Sequence, residues 1–430
     1  MNFLKKMNPG RFIALGFTFV IFIGATILFL PISHIQGVNV SFLDALFTAT
    51  SAVCVTGLTV VDTADTYNVF GRTIIALLIQ IGGLGVTSVG VGFILLARRK
   101  VDFKDRVLVK EALNLNSLKG VVKLIKSILI MTLCFEAAGA ILSFIVFSQK
   151  YPTLDAIGIS IFHAVSSFNN AGFDVLGGFK SLLDYQSNIL LNLTTCALII
   201  FGGLGFVVTK EIIYKHSYKK LSLHSKVVVT MTVILLIAGT ILFKLTEKVS
   251  WLGAFFFSTS ARTAGFATYN LANFTNASLF ILIILMFIGA SPGSTGGGIK
   301  TTTAFTLAKS AYSMSTNRHC SGFKRKIPTD IIYKAYVLTF LAASLVCINT
   351  FILCILESDY TFIQLFFEVV SGFGTVGLST GITPNLKPAS EIIIILTMFI
   401  GRVGPLTIAS LWSIRPISNI RYSEESITIG

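Results

Sequence analysis

Long apolar segments alternate with short polar ones along the whole chain. The first apolar segment, at about residues 12–30, is long enough to cross the roughly 30 Å hydrocarbon core of a bilayer. Shorter amphipathic segments of about 12 residues lie between the long ones and are too short to span. They begin near Ser41, Thr153, Trp251 and Thr361. The pattern predicts an all-α polytopic membrane protein with re-entrant helices between its spanning helices.

The short segments share an ending in which small or hydroxylated residues precede a glycine and then Leu or Phe. A second, glycine-rich landmark follows 24 to 30 residues after each of these glycines. Two landmarks at a near-constant separation indicate an internal repeat. The four glycines are Gly57, Gly172, Gly265 and Gly377, and the second landmarks begin at Gly82, Gly202, Gly289 and Gly401.

We therefore predict four parallel repeats of a spanning helix, a re-entrant pore helix and a second spanning helix, with eight crossings around a central pore. Irregular backbone inside a bilayer must be buried in protein or line a wet path, so four re-entrant segments imply a shared pore. In the first repeat the second spanning helix is expected as one element at about residues 69–97. The four repeats are expected at residues 1–100, 101–225, 226–325 and 326–430.

Composition and charge agree with a membrane protein. The chain is 53% hydrophobic and 12% charged, about half the charged fraction of a soluble domain. Its net charge is +15, and most of the 34 Lys and Arg lie in loops at alternating crossings, as expected of cytoplasmic segments. This distribution places both termini in the cytoplasm and argues against a nucleic-acid partner. The basic stretches are residues 1–11, 98–126, 210–226, 309–334 and 415–430.

The glycine segments carry the candidate chemistry. A dehydrated cation needs oxygen ligands, and backbone carbonyls turned toward a pore supply them. Glycine permits the left-handed or extended turns that aim several carbonyls in one direction. Close helix packing is the alternative role for these glycines. The predicted ion-binding filter residues are Val55, Thr56, Gly57, Asn170, Ala171, Gly172, Thr263, Ala264, Gly265, Thr375, Val376 and Gly377.

Four acids follow the first two filter glycines and are expected at the outer mouth of the pore. They either concentrate cations there or belong to a solvated loop, and the sequence leaves both interpretations open. The acids are Asp62, Asp65, Asp174 and Asp184.

The second helix of the third repeat is interrupted by a run of glycines with a proline, which no helix tolerates intact. The run falls at mid-membrane below the filter, so we predict a gating loop over residues 289–303; a passive kink is the alternative. The run nearly matches the sequence of a phosphate-binding loop. It does not, however, lie between a strand and a helix as the loop of a nucleotide site does. The predicted gate residues are Gly289, Ser291, Pro292, Gly293, Ser294, Thr295, Gly296, Gly297, Gly298, Lys300, Thr301 and Arg402.

Two arginines are expected near the pore. Arg402 follows Gly401 at a depth where a cation costs at least about 2.5–3.5 kcal/mol on insertion scales and marks function. It is expected to face the loop and oppose entering cations, or else to pin its helix. Arg262 is expected to support the filter from behind, with Glu368 as its charge partner.

Taken together, four endings resemble the Trk, Ktr and HKT superfamily of potassium transporters: Val-Thr-Gly-Leu at 55–58, Asn-Ala-Gly-Phe at 170–173, Thr-Ala-Gly-Phe at 263–266 and Thr-Val-Gly-Leu at 375–378. The resemblance covers nearly the whole chain and is closest to KtrB-type or KtrD-type bacterial subunits. It implies potassium uptake, often stimulated by sodium, and no enzyme activity. It also implies K+ at the filter carbonyls and an intramembrane gating loop with Arg402 below the filter.

The resemblance further implies a homodimer in the bacterial plasma membrane and a cytoplasmic ring of KtrA-like or KtrC-like RCK subunits that bind nucleotide. This chain has no dinucleotide fingerprint, so no cofactor is expected here apart from the transported K+ and an activating Na+. The basic loops are candidate docking surfaces for such a subunit, or follow from topology alone. The alternatives are a less selective sodium and potassium transporter and an alternating-access cation symporter.

Overall fold

The computed structural model describes residues 9–96, 101–112, 119–410, 425 and 428. Much of the predicted basic stretches at 1–11, 98–126 and 415–430 therefore lies outside the described residues. The helices of the first half are α1 (Pro9–Phe29), α2 (Phe42–Cys54), α3 (Thr63–Thr66), α4 (Val69–Leu84), α5 (Val86–Leu96), α6 (Phe103–Ala112), α7 (Val121–Phe147), α8 (Thr153–Phe168), α9 (Ile189–Leu204) and α10 (Phe206–Lys215).

In the described part of the second half, the regular secondary structure is also helical apart from one small hairpin. Its helices are α11 (Leu223–Thr246), α12 (Trp251–Ser260), α13 (Asn276–Ile288), α14 (Thr301–Ser315), α15 (Thr329–Leu356), α16 (Phe362–Gly374), α17 (Pro388–Val403) and α18 (Pro405–Ser410). Between α14 and α15, strand β1 (Ser321–Gly322) pairs antiparallel with β2 (Arg325–Lys326).

Within the described ranges, four helices are long and apolar enough to cross a membrane, namely α1, α7, α11 and α15. They contain 21, 27, 24 and 28 residues. At about 1.5 Å per residue, each spans the hydrocarbon core. If each bent helix pair counts as one span, the candidate spans among the described residues number up to six. The chain is therefore a mostly helical, multi-pass membrane protein, and the eight crossings remain a prediction.

The four short helices α2, α8, α12 and α16 begin where the sequence predicts, and side chains fix three of these starts. The Ser41 hydroxyl accepts from the Asp44 N–H at 3.1 Å, and the Asp44 carboxylate accepts from the Ser41 N–H at 3.1 Å. Thr361 and Gln364 cap α16 with the same reciprocal pair, and Ser250 caps α12. Such caps satisfy N–H groups that have no partner within the helix.

The second helix of the repeat is bent in the first two predicted repeats, in addition to being interrupted in the third. Helices α4 and α5 meet at 97° across Gly85, and α9 and α10 meet at 101° across Gly205. The single helix expected at 69–97 is therefore wrong. Gly85, Gly205 and Gly404 have φ values of +82°, +92° and +97°, a conformation that a continuous right-handed helix excludes. Each is the last glycine of its landmark.

The short helices meet at the centre of the molecule. Each packs on the spanning helix before it: α2 on α1, α8 on α7, α12 on α11 and α16 on α15. The second helix of each predicted repeat also contacts the short helix of the next one: α4 with α8, α9 with α12, α13 with α16, and α17 with α2. The last of these contacts closes a ring of helices around one axis. Fully buried Phe47, Phe256, Phe367 and Phe373 fill the surrounding core.

Candidate functional site

Each short helix is followed by a turn that enters the left-handed backbone region twice within three residues. Two positions before each predicted filter glycine, φ is +58° at Val55, +59° at Asn170, +78° at Thr263 and +49° at Thr375. The glycines themselves have φ values between +71° and +93°. Non-glycine residues adopt positive φ uncommonly, so its recurrence at four equivalent positions marks a backbone held by its surroundings.

Serines hold the amide groups of these turns. The Ser51 carbonyl accepts from the Thr56 N–H at 2.8 Å, and its hydroxyl accepts from the Gly57 N–H at 3.0 Å. The Ser371 hydroxyl accepts from the Gly377 N–H at 3.1 Å in the same way. In the other two turns a serine carbonyl accepts the N–H before the glycine, at 2.8 Å each. The motif predicts only that small or hydroxylated side chains precede each glycine, and the spacing of the serine before the glycine is the sequence signal for these bonds.

The four glycines form a closed ring. A Cβ on Gly57 would lie 3.0 Å from the Cα of Gly172, and one on Gly172 would lie 3.0 Å from the Cα of Gly265. The same construction gives 3.1 Å from Gly265 to Gly377 and 3.0 Å from Gly377 back to Gly57. Each added Cβ would also overlap a carbonyl oxygen, because the backbones are in contact. Those oxygens belong to Ala171, Ala264, Val376 and Thr56.

A large apolar residue after each glycine anchors the ring from behind. Leu58, Phe173, Phe266 and Leu378 are at most 1% exposed. Within a membrane such side chains hold the turns by close van der Waals packing, since contact with lipid would be equally apolar. The structure therefore brings all the predicted filter residues together in four anchored turns.

A cavity of about 560 Å³ lies beside the ring and is lined by all four glycines. Asp62 and Asp174 line it as well. The carboxylates of Asp62 and Asp65 also accept backbone N–H groups from the loop of the second predicted repeat, at 2.6 and 2.9 Å. Asp184 does not line the cavity and pairs instead with Lys150 at 3.2 Å. Two of the four expected acids thus face the cavity, and Asp184 fits the solvated-loop interpretation.

Asp174 has an unusual environment among these acids. Burial raises the pKa of its carboxyl to about 6. The neighbouring Asp62 and Asp65 carboxylates act in the same direction, whereas a hydrogen bond from the Leu176 N–H opposes them. A carboxylate with this pKa is ionised at neutral pH and loses its charge in mildly acidic solution.

The irregular segment between α13 and α14 lies on the other side of the ring. A Cβ on Gly296 would overlap the Thr263 side chain, and one on Gly297 would lie 2.9 Å from the Gly374 carbonyl oxygen. The segment is tied to the second predicted repeat, because the Ser291 N–H donates to the Gly203 carbonyl at 3.1 Å. The predicted gate residues from Gly289 to Thr301 therefore form one packed loop directly against the filter turns.

Arg402 is the main side-chain link between this loop and the rest of the molecule. Its guanidinium donates to the Thr295 carbonyl in the loop and to the Gly82 and Gly83 carbonyls at the end of α4. Lys300, the last loop residue before α14, donates to the carbonyls of the loop itself. The prediction that Arg402 faces the loop is correct in position.

The pairing expected between Arg262 and Glu368 is wrong. Arg262 is 5% exposed and donates to the Thr232 hydroxyl on α11 at 3.4 Å, whereas Glu368 accepts a hydrogen bond from the Thr383 hydroxyl. Arg262 directly precedes Thr263 in its turn and lies against the spanning helix α11 behind it, on the side predicted from the sequence. The two side chains therefore bond to different neighbours, and Glu368 accepts from Thr383 through one carboxylate oxygen only.

A buried polar cluster beside the second turn was not anticipated. Asn169, which follows α8 directly, donates to the Glu136 carboxylate at 3.0 Å and to the Gln80 amide oxygen at 2.8 Å. Gln80 also donates to Glu136, at 3.3 Å. The cluster joins α4, α7 and α8 next to the filter. An acid within a predicted spanning helix was the signal that could have revealed it.

The comparisons with known proteins identify the family of the chain. The sequence signature of the TrkH family, described as a cation transport protein, matches residues 7–420. The chain belongs to the TrkH family of cation transport proteins. The family expected from the glycine motifs is thereby confirmed. TrkH-family proteins are transporters, so this chain is not an enzyme.

Individual TrkH-family relatives align over almost the full length. The chain is 41% identical to the potassium/sodium uptake protein NtpJ of Enterococcus hirae, over 99% of this chain and 98% of that protein. It is 37% identical to the Ktr system potassium uptake protein B of Bacillus subtilis, over 99% and 97%. The crystal structure of the potassium transporter TrkH from Vibrio parahaemolyticus has the same fold, with a TM-score of 0.73 and 18% identity, covering 95% of this chain and 85% of that one.

Proposed function

We propose that this chain is the pore-forming subunit of a Ktr-type potassium-uptake system. The observation that carries the proposal is the closed ring of Gly57, Gly172, Gly265 and Gly377, with a carbonyl oxygen at each contact. Rings of backbone carbonyls replace the hydration shell of a dehydrated cation. The relatives named for potassium/sodium uptake and for potassium uptake support K+ as the transported ion.

In this proposal the four repeats, with eight crossings, surround one pore, and α2, α8, α12 and α16 are its pore helices. Potassium enters the cavity of about 560 Å³, where Asp62 and Asp174 attract it, and loses water at the ring. Each pore helix leads into the ring at its C-terminal end, where the helix dipole favours a cation. The electrochemical gradient drives the ion inward.

The loop of residues 289–303 is the proposed gate. It packs against the filter turns at Thr263 and Gly374, so an ion leaving the ring meets it next. Arg402 holds the loop at Thr295 and places a positive charge on the same path. Opening requires these hydrogen bonds to be exchanged for others.

The remaining expectations are part of the same proposal. The chain functions as a homodimer in a bacterial plasma membrane, with both termini in the cytoplasm. A separate RCK-type subunit binds the regulatory nucleotide and acts on the loop, while sodium stimulates transport. The chain itself holds no cofactor.

A less selective sodium and potassium transporter is the second candidate function. The printed name of the Enterococcus hirae relative includes both ions. Each repeat contributes one filter glycine, so fewer carbonyls are stacked than in a longer filter, and such a filter discriminates less between the two ions. An alternating-access symporter is less well supported, because inverted repeats are typical of many such carriers and the repeats here are parallel.

Rubidium uptake into proteoliposomes containing the full chain tests the proposal. We expect uptake that unlabelled K+ competes with strongly and Na+ weakly, and that increases when a purified cytoplasmic subunit and Na+ are added. Equal competition by K+ and Na+ would favour the second candidate. Absence of uptake in correctly reconstituted protein would contradict both.

A further inference from the structure

In the loop beneath the ring, backbone carbonyl oxygens accept hydrogen bonds from positively charged side chains of the same chain. The Lys300 ammonium donates to the carbonyl oxygens of Gly296 and Gly297, at 2.6 and 3.2 Å. The Arg402 guanidinium donates to the preceding carbonyl, that of Thr295. Three consecutive backbone carbonyls therefore accept hydrogen bonds from two positively charged side chains.

Neither cation is neutralised by an acid in the part of the chain that the structure describes. The ion pairs there are Lys150–Asp184, Lys215–Glu211 and Lys387–Glu357. Lys300 is thus held by carbonyl oxygens and not by a carboxylate. Backbone carbonyls are also the ligands with which proteins replace the water around K+, and an ammonium group resembles that ion in charge and size.

Lys300 is held in an unfavourable position by these carbonyls. Its φ of +80° and ψ of +142° lie in a region that L-residues rarely adopt. It also directly precedes α14, where the positive end of the helix dipole disfavours a cation. The backbone at Lys300 is therefore held in place by its surroundings.

The occupied carbonyls lie on the expected path of the ion. A Cβ on Gly296 would overlap the side chain of Thr263, and one on Gly297 would overlap that of Thr375. Both threonines belong to the filter turns, two positions before the ring glycines. An ion that leaves the ring on this side therefore meets Gly296 and Gly297 next.

We propose that the carbonyls of Gly296 and Gly297 form a binding site for a partly hydrated monovalent cation, which the Lys300 ammonium occupies when the loop is closed. This inference rests on the proposed function. A permeating cation competes with Lys300 for the two carbonyls, and displacement of the side chain is the step that frees the loop. Lys300 is then a built-in blocking cation rather than only a structural residue.

The test compares Lys300→Gly with the wild-type chain in proteoliposomes. Glycine accepts the positive φ, so this variant removes the ammonium without adding backbone strain. We expect rubidium flux to rise by at least about tenfold, the effect of losing one charge-assisted hydrogen bond from the closed state. Ethylammonium should reduce the flux of the variant again in a dose-dependent way, and rubidium should compete with it.

Two further variants serve as controls. Lys300→Arg keeps the charge on a larger, planar group that fits the two carbonyls differently, so its flux should lie between those of the wild type and Lys300→Gly. Lys309→Ala removes another lysine of α14, whose Nζ lies 5.5 Å from the Tyr312 ring centre, and should change neither flux nor sensitivity to ethylammonium. The inference is overturned if Lys300→Gly leaves flux unchanged, or if ethylammonium inhibits the wild type and the variant equally. Failure of the wild-type chain to take up rubidium would instead count against the proposed function.

Discussion

Single side chains determine the shape of the ring and the position of the loop. The hydroxyls of Ser51 and Ser371 accept from the amides of ring glycines, at 3.0 and 3.1 Å. These bonds fix turns whose backbone would otherwise be unfavourable. On the other side of the ring, Arg402 connects the loop to α4 through backbone carbonyls. The geometry of the ring and the position of the loop therefore depend on different residues.

Ser371→Ala tests the first of these roles. The Gly377 N–H would be left buried without its acceptor, which costs about 1–3 kcal/mol. We expect a lower melting temperature in detergent and a weaker preference for K+ over Na+ in flux assays. Ser143→Ala is the matched control, since the Ser143 hydroxyl is buried without a hydrogen-bond partner among the described residues. A selectivity change of equal size in the control would contradict the role of Ser371.

Arg402→Ala tests the second role. The substitution removes the hydrogen bonds to Thr295, Gly82 and Gly83 and the positive charge beneath the ring. We expect rubidium flux to increase, by about tenfold if one charge-assisted bond limits opening. Arg402→Lys keeps the charge but cannot donate to both carbonyls through a planar guanidinium, and it should give an intermediate flux. Slower flux in the alanine variant would show that Arg402 mainly pins its helix.

At the scale of elements, the sequence predicts helices well and their interruptions less well. Hydroxylated caps and apolar runs locate the short helices, and Gly57 and its three equivalents locate the turns. The bends at Gly85 and Gly205 were missed because a glycine in an apolar run is compatible with close packing as well as with a turn. Gly82 in the same landmark does pack closely, since a Cβ there would lie 3.0 Å from the Cα of Val53.

The sequence does not predict hydrogen-bond partners that lie far apart along the chain. Arg402 and Gly82 are 320 positions apart, and nothing local connects them. The prediction of an Arg262–Glu368 pair was wrong because complementary charge alone does not predict that Glu368 accepts instead from the Thr383 hydroxyl. Glu136 and Gln80 meet only because α4 and α7 both pack beside α8. Such pairings follow from the assembled fold.

Deletion of residues 293–298 tests the loop as an element. The loop packs against Thr263 and Gly374, so its removal should leave the exit from the ring open. We expect faster rubidium flux with ion preference largely retained, because the ring residues are untouched. Size-exclusion chromatography would show whether the variant is folded, and unchanged or abolished flux in a folded protein would contradict the gate.

At the scale of the whole molecule, charge is distributed unevenly. Described cations such as Lys219 and Lys220 lie at the connection between α10 and α11, while Asp62 and Asp174 line the cavity above the ring. Negative charge at one entrance raises the local concentration of cations. Basic connections are typical of cytoplasmic loops. The two features together fit inward movement of a cation.

Asp174 makes this attraction dependent on pH. Burial raises the pKa of its carboxyl to about 6, so the charge is present at neutral pH and is lost as the external pH falls through that value. We expect rubidium uptake at subsaturating concentration to decrease between pH 7 and about pH 5. Asp174→Asn should have low uptake without this dependence, whereas Asp184→Asn should behave like the wild type. An unchanged pH profile in Asp174→Asn would contradict the role of this acid.

The ion preference of Gly265→Ser tests the account most directly. A side chain at Gly265 would push against the Val376 carbonyl and the neighbouring Gly377, and so distort the ring. Gly158→Ser on the pore helix α8 is the control, because a Cβ there meets nothing within 4 Å. Rubidium uptake in proteoliposomes, measured in competition with K+ and with Na+, should show a reduced preference for K+ in Gly265→Ser and a normal one in Gly158→Ser. The same K+ preference in both variants would contradict a filter formed by the four glycines.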